Sequence, residues 1–134
     1  MKVLIADDSC EVRERIKILL SEVEKVEMIG EAENVQQAIE HIRQQGPDVV
    51  ILDIQMPGGN GIDVLREIEK KDRVPMVIML TNYPYPQYRE KCKKMGADYF
   101  IDKMAEIEKL PGILEALEGK LSGKDVTPDI KIHH

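Results

Sequence analysis

Residues Val49-Val50-Ile51-Leu52 form an unbroken apolar run, and the residue that follows is a carboxylate, Asp53. Four consecutive apolar side chains, three of them β-branched, predict a short strand buried on both faces. Such a strand needs a covering layer on each side, which restricts the chain to few architectures. Beyond Ile54, the stretch Gln55-Met56-Pro57-Gly58-Gly59-Asn60-Gly61 cannot extend the ladder and must turn. Asp53 therefore stands at the carboxyl end of a central strand, where open α/β sheets hold ligands. An aspartate there can equally cap a turn, and this stretch alone does not separate the two roles.

The rest of the chain repeats the pattern. Val3-Leu4-Ile5-Ala6 is a second apolar run stopped by acid, Asp7-Asp8. Ser9 can cap a helix whose apolar face is Val12, Ile16, Leu19, Leu20 and Val23, with Arg13, Glu14, Lys17 and Glu22 opposite. Val26 to Glu31 reads as a weaker strand near a sheet edge. Asn34 caps a second helix with Val35, Ala38, Ile39 and Ile42 on one face, and His41, off that stripe, is expected in solvent. Gly46-Pro47 closes this helix. A third helix carries Ile62, Leu65 and Ile68 and runs into the charged stretch Glu67 to Arg73. Met76 to Leu80 is another fully apolar strand, stopped by Thr81-Asn82. Tyr83-Pro84-Tyr85-Pro86 is a stiff aromatic loop before a short fourth helix lined by Tyr88, Cys92 and Met95, with Arg89, Lys91, Lys93 and Lys94 on its outer side. Asp98 to Asp102 is the last strand, and Lys103 follows at once. A loose turn near Glu106 to Lys109 precedes a final helix that takes Pro111 in its first turn.

Five strands alternating with five helices predict one parallel sheet with helices on both faces and right-handed crossovers. The 134 residues fit one domain, expected over 1–121, with a disordered tail over 122–134 rich in Ser, Gly, Lys, Asp, Thr and Pro. No run of about 18 apolar residues could span a bilayer. The N-terminus passes from Met1-Lys2 into an acid-terminated run, unlike a signal peptide, so a cytoplasmic protein is expected. Cys10 and Cys92 lack metal or disulfide spacing and are expected to be small buried or half-buried thiols. A net charge of −6 and only five aromatic residues argue against a nucleic-acid surface.

A parallel sheet gathers its carboxyl strand ends on one edge. Asp7 and Asp8, Asp53, Thr81 and Lys103 should therefore converge. Three clustered carboxylates repel, and a hard cation with oxygen ligands relieves them; magnesium fits, completing its shell with waters and phosphate oxygens. Thr81 offers a hydroxyl and Lys103 a point charge to a phosphoryl group, and a carboxylate can itself accept that group.

With these residues in register, the chain from Lys2 to about Leu121 resembles the receiver domains of bacterial two-component response regulators. The matched signature is the acid pair, Asp53 followed by Met56-Pro57 and by Gly61, then Thr81, then Lys103. The resemblance implies a flavodoxin-like doubly wound fold with strand order 2-1-3-4-5. It implies that Asp53 is the phosphoacceptor and that Asp7, Asp8, Asp53 and the main-chain carbonyl of Gln55 hold magnesium. Thr81 and Lys103 would contact the phosphoryl group, and Thr81 with Phe100 would form the switch. Three positions depart from the family pattern. Asn82 stands where a small residue is usual, Met104 replaces the common Pro after the lysine, and Phe100 lacks the hydroxyl of the usual Tyr.

The function implied is a phosphorylation-dependent signalling switch, not an enzyme beyond its own phosphorylation and slow self-dephosphorylation. A sensor histidine kinase or phosphotransfer protein would supply phosphate. The face of the fourth helix, fifth strand and fifth helix would pass the signal to a protein target or to a second copy of the chain. The 13 residues after Leu121 are too few for an output domain, which leaves a stand-alone receiver or one taken from a longer regulator. A phosphotransferase or phosphatase of the haloacid-dehalogenase type is the alternative. It would need an Asp-x-Asp motif at the first strand and a cap domain.

Overall fold

The computed structural model describes residues 1–69 and 74–121. The end of the charged stretch at Lys70 to Arg73 and the expected tail, with His133-His134, lie outside the described residues. Strands β1 (Lys2–Ala6), β2 (Glu27–Ala32), β3 (Val49–Asp53), β4 (Met76–Thr81) and β5 (Tyr99–Asp102) form one sheet in the order β2-β1-β3-β4-β5. Every pairing is parallel. Helices α1 (Cys10–Leu20), α2 (Val35–Gln45), α3 (Gly61–Glu69), α4 (Pro86–Lys94) and α5 (Leu110–Leu121) connect and cover it. The alternation predicts the parallel sheet covered on both faces, and the strand order is the flavodoxin-like one that the resemblance implies.

The period-two alternation of the strands sorts side chains into two cores. Leu4, Val50, Leu52, Val77, Met79 and Phe100 pack beneath α2, α3 and α4. Val3, Ile5, Ile51, Ile78, Leu80, Tyr99 and Ile101 pack beneath α1 and α5. All of β3 is buried, which is why its sequence shows no polar alternation. The helix ends follow local chemistry: Ser9 Oγ accepts from Val12 N–H, Asn34 Oδ1 accepts from Gln37 N–H, and Gly46 closes α2 in the left-handed region at φ +55°. A short helix (Lys103–Glu106) and a 3-10 turn (Ile107–Lys109) fill the expected loose segment, and Pro111 enters α5 in its first turn.

Three expectations need correction. His41 is half-buried, not solvated. α2 lies over the edge strand β2, and a Cβ at Gly30 would stand 2.9 Å from the imidazole. The register slips between Val3 and Leu4 there, and Nδ1 of His41 is buried with no hydrogen-bond partner among the described residues. Cys10 is exposed, because it lies off the face of α1 that buries Ile16 and Leu20; Cys92 is buried as expected. The turn after β3 also carries more structure than its composition suggests. Gln55–Met56 and Gly59–Asn60 pair as a two-stranded antiparallel ribbon.

Tyr99 is fully buried and its hydroxyl has no hydrogen-bond partner among the described residues. Burial first, then the nearby Asp98 charge, pushes its pKa up to about 12. An unsatisfied buried hydroxyl is a net cost, so Tyr99→Phe should raise stability by about 1 kcal/mol. Urea melts read by far-UV circular dichroism check this; a less stable variant would mean that the hydroxyl has a partner.

Candidate functional site

The sheet register brings the strand-end residues together. Ala6 pairs with Leu52, so Asp7 and Asp53 leave adjacent strands side by side. Thr81 lies one residue beyond Leu80, the register partner of Asp53, and Lys103 lies one beyond Asp102, the partner of Thr81. Asp7, Asp53, Thr81 and Lys103 are the only buried polar or charged side chains among the described residues, at 1%, 6%, 0% and 7% exposure. Burial of four such groups together at one edge marks a site.

Asp7 Oδ1 accepts from Ser9 N–H at 2.8 Å, while its Oδ2 meets Lys103 Nζ at 2.6 Å as an ion pair without hydrogen-bond geometry. Lys103 Nζ also donates to Asp53 Oδ2 at 3.1 Å. Gln55 N–H reaches Asp53 Oδ1 at 3.4 Å, and Thr81 Oγ accepts from Tyr83 N–H at 2.8 Å. Gly61 supports the frame: a Cβ there would collide with the Asp53 carbonyl, and its N–H donates to Ile54 O at 2.6 Å. Asn60 and Asp63 then cap the entry to α3, and Val35 N–H ties the turn back to α2 through Pro57 O at 3.2 Å.

One ligand oxygen from each of Asp7, Asp8 and Asp53 can be chosen so that all three lie within 4.8 Å of one another. Asp8 is exposed and borders an open cavity of about 420 Å³ lined by Gln55, Met56, Pro57, Gly59 and Asn60. Burial, then the charge of Asp7, pushes the Asp53 carboxyl up to about 6, against the opposing pull of Lys103. Burial likewise opposes the Lys103 charge, yet the close contact with Asp7 and the charges of both acids hold its pKa above the ordinary lysine value. The donor set is all oxygen, one carboxylate oxygen lacks a hydrogen bond, and the acids outnumber the single buried cation. These features fit a hard divalent cation.

Each of Asp7, Asp8, Asp53, Gln55, Thr81 and Lys103 thus lies at this edge. Phe100 lies inside it, at 1% exposure beneath α4, and no peptide bond among the described residues is cis, including that before Met104. Two residues escaped the sequence reading. Arg13, placed there on the outer side of α1, turns inward: Nη1 donates to the Asp7 carbonyl at 2.7 Å and Nε pairs with Glu31 at 3.0 Å. The spacing hinted at this, since a residue in the second turn after a strand-end acid can reach back over it. Arg89, placed on the basic outer side of α4, holds its guanidinium carbon 4.9 Å from the Phe100 ring centroid. No periodicity signals that contact.

Known proteins share this fold and part of this sequence. A sequence model of the response regulator receiver domain matches residues 3–115. The chain is 36% identical over 107 residues to the sensory transduction protein LytT of Bacillus cereus, covering 79% of this chain and 43% of that protein. It is 39% identical over 105 residues to a protein-glutamate methylesterase/protein-glutamine glutaminase of Alkalilimnicola ehrlichii, covering 77% of this chain and 27% of the relative. This chain therefore spans less than half the length of either. Among solved structures, the isolated receiver domain of RcsB from Salmonella enterica serovar Typhimurium, in the presence of the phosphomimetic BeF3−, superposes with a TM-score of 0.82 at 30% identity. That match covers 96% of this chain and 94% of the other.

Proposed function

We propose, from the premise that this chain belongs to the response regulator receiver domain family and serves phosphorylation-dependent two-component signalling, that Asp53 is its phosphoacceptor. The observation that supports this choice is the buried contact of Asp53 with Lys103 at 3.1 Å, beside Asp7 and Asp8. Asp53 is the one acid of the three that ends the central strand.

Asp7, Asp8, Asp53 and the Gln55 carbonyl would hold magnesium, which when bound neutralises acid charge and phosphoryl oxygens. The chain's own residues do the rest. Burial and the Asp7 charge make the Asp53 carboxylate poorly solvated, which raises its reactivity once it is unprotonated. Lys103 aims its ammonium at Asp53 and supplies a fixed positive charge where phosphoryl oxygens accumulate. Thr81, whose oxygen accepts from Tyr83 N–H, turns toward the new phosphate and donates its hydroxyl hydrogen to it in a charge-assisted bond. Space vacated behind Thr81 is then open to rearrangement of Phe100 and α4.

A phosphohistidine of a kinase or phosphotransfer protein, or a small phosphodonor, supplies the group. Beyond taking up and slowly losing this phosphate, the chain catalyses nothing. Its site of action is the cytoplasm, and no helix among the described residues is long and apolar enough to cross a membrane. The domain comprises residues 1–121.

Intact mass after acetyl phosphate and magnesium treatment tests the assignment. Wild type should gain one phosphate, and Asp53→Ala or a chelated sample none; labelling of Asp53→Ala overturns it. Tyr83 joins the site through its amide and stands two residues past Thr81, where its ring can screen the acyl phosphate from water. Tyr83→Ala should lose phosphate about threefold faster; an equal or slower decay, followed by the same mass assay, removes Tyr83 from the site.

A further inference from the structure

Of the three clustered acids, Asp8 is the least supported. Asp7 and Asp53 are buried and each meets Lys103. Asp8 is exposed, and among the described residues nothing bonds to its carboxylate. The direction in which that carboxylate points is therefore set by the main chain. Asp8 follows Asp7 through a planar peptide unit whose oxygen is the Asp7 carbonyl. A group that holds this oxygen also fixes how Asp8 leaves the strand end.

That group is Arg13, one and a half turns into the chain after Asp7. Its Nη1 donates to the Asp7 carbonyl at 2.7 Å and its Nε to Glu31 Oε1 at 3.0 Å. The side chain is only 12% exposed. Glu31 is held in turn by Lys17, whose Nζ donates to Oε2 at 3.0 Å, so both its oxygens are engaged. On the amide side of Asp7, its N–H donates to Ala32 O at 2.9 Å. The end of β1 is thus tied to the end of β2 twice, once by backbone and once through the guanidinium. Water could satisfy the same carbonyl, but it would leave the peptide free to turn. A planar fork bonded at both of its ends does not.

Charge argues the other way, and Glu31 decides the balance. A bare guanidinium this close to a cation site would repel the cation. Here a carboxylate at 3.0 Å neutralises it, so what reaches the site is the weak field of a pair. The geometric effect remains. We infer that Arg13 is a positioning residue of the cation site: by bracing the Asp7–Asp8 peptide against Glu31, it directs the Asp8 carboxylate toward Asp7 and Asp53. This rests on the reading that the three acids hold magnesium.

Manganese(II) serves as the probe, its binding to the full chain followed through the electron paramagnetic resonance signal of the free ion. Arg13→Ala should bind about tenfold more weakly than wild type. Arg13→Lys keeps a donor but loses the fork, and should recover part of that loss. Combined with Asp8→Ala, Arg13→Ala should cost nothing further, because the residue it positions is already gone. A merely structural tie predicts additive losses instead. Phosphate uptake read by intact mass should need about tenfold more magnesium for its half-maximum in Arg13→Ala, and reach the same extent at saturation. Urea melts in chelator show whether the variants fold. Should Arg13→Ala fail to fold, Glu31→Gln, which frees one end of the guanidinium, takes its place with an expected loss of about threefold. Equal or tighter manganese binding by Arg13→Ala, or additivity with Asp8→Ala, overturns the role of Arg13 alone. A wild type that binds no manganese, or binds it as tightly after Asp8→Ala, overturns the reading of the site and this role with it.

Discussion

Replacing Lys103 with methionine is expected to cost about 3 kcal/mol of stability at neutral pH in a chelating buffer. Its ammonium is 7% exposed and sits 2.6 Å from Asp7 Oδ2 and 3.1 Å from Asp53 Oδ2. Methionine fills much of the same volume, so the loss is electrostatic and not a cavity. Two buried carboxylates would then face each other uncompensated, and the fold would have to protonate one or loosen. Both escapes are measurable. The deficit should shrink toward about pH 5, where Asp53 takes up a proton, and shrink again in millimolar magnesium, which replaces the missing charge. Urea melts of both proteins at two pH values, with and without magnesium, read these together. A variant as stable as wild type in chelator would mean that Lys103 and the acids are not coupled in the folded chain.

The part of this site visible in the sequence is the part that backbone topology dictates. Each of Val3–Ala6, Val49–Leu52 and Met76–Leu80 is apolar throughout because both faces of a central parallel strand are covered. Whatever polar residue ends such a run must emerge at the common edge, so Asp7, Asp53 and Thr81 could be placed together without coordinates, with Lys103 beside them as the first residue past the last strand. What stayed hidden depends on long side chains and on how helices sit over the sheet. Arg13 and Arg89 occupy polar helix positions, yet their flexible stems carry the charge back to the Asp7 carbonyl and over Phe100. His41 lies off the apolar stripe, but α2 leans on the edge strand where Gly30 leaves room for the ring. Cys10 misled in the other direction: its small apolar character suggested burial, but it lies off the face of α1 that buries Ile16 and Leu20. Phe100 differs from both groups. Its inward position follows from hydrophobicity alone, since no hydroxyl draws the ring toward water, and the structure has it buried at 1% exposure.

Asparagine at position 53 is expected to stabilise the fold at neutral pH without metal, by about 2 kcal/mol, while abolishing phosphate uptake. The sign follows from the direction of the Asp53 shift. Burial first, then Asp7, pushes its carboxyl from the ordinary 3.8 up to about 6. Between those values the folded chain holds a proton that the unfolded chain has released. Wild-type stability from this group is therefore greatest below the ordinary value and falls as pH rises through the window. Above about pH 6 the charge is fully present and its cost is at its maximum. Asparagine keeps the shape and removes that charge, and it retains an oxygen for Lys103, which still pairs with Asp7. The variant should thus lack the fall in stability between about pH 4 and pH 6 that wild type shows. Magnesium should narrow the gap from the other side, stabilising wild type by binding its three acids and the variant much less. Chemical melts across this pH range in chelator, repeated with magnesium, measure both effects. If asparagine proves the less stable residue at neutral pH, or wild-type stability climbs through the window, the charge of Asp53 is not a cost that the fold carries, and the strain proposed to make it reactive is absent.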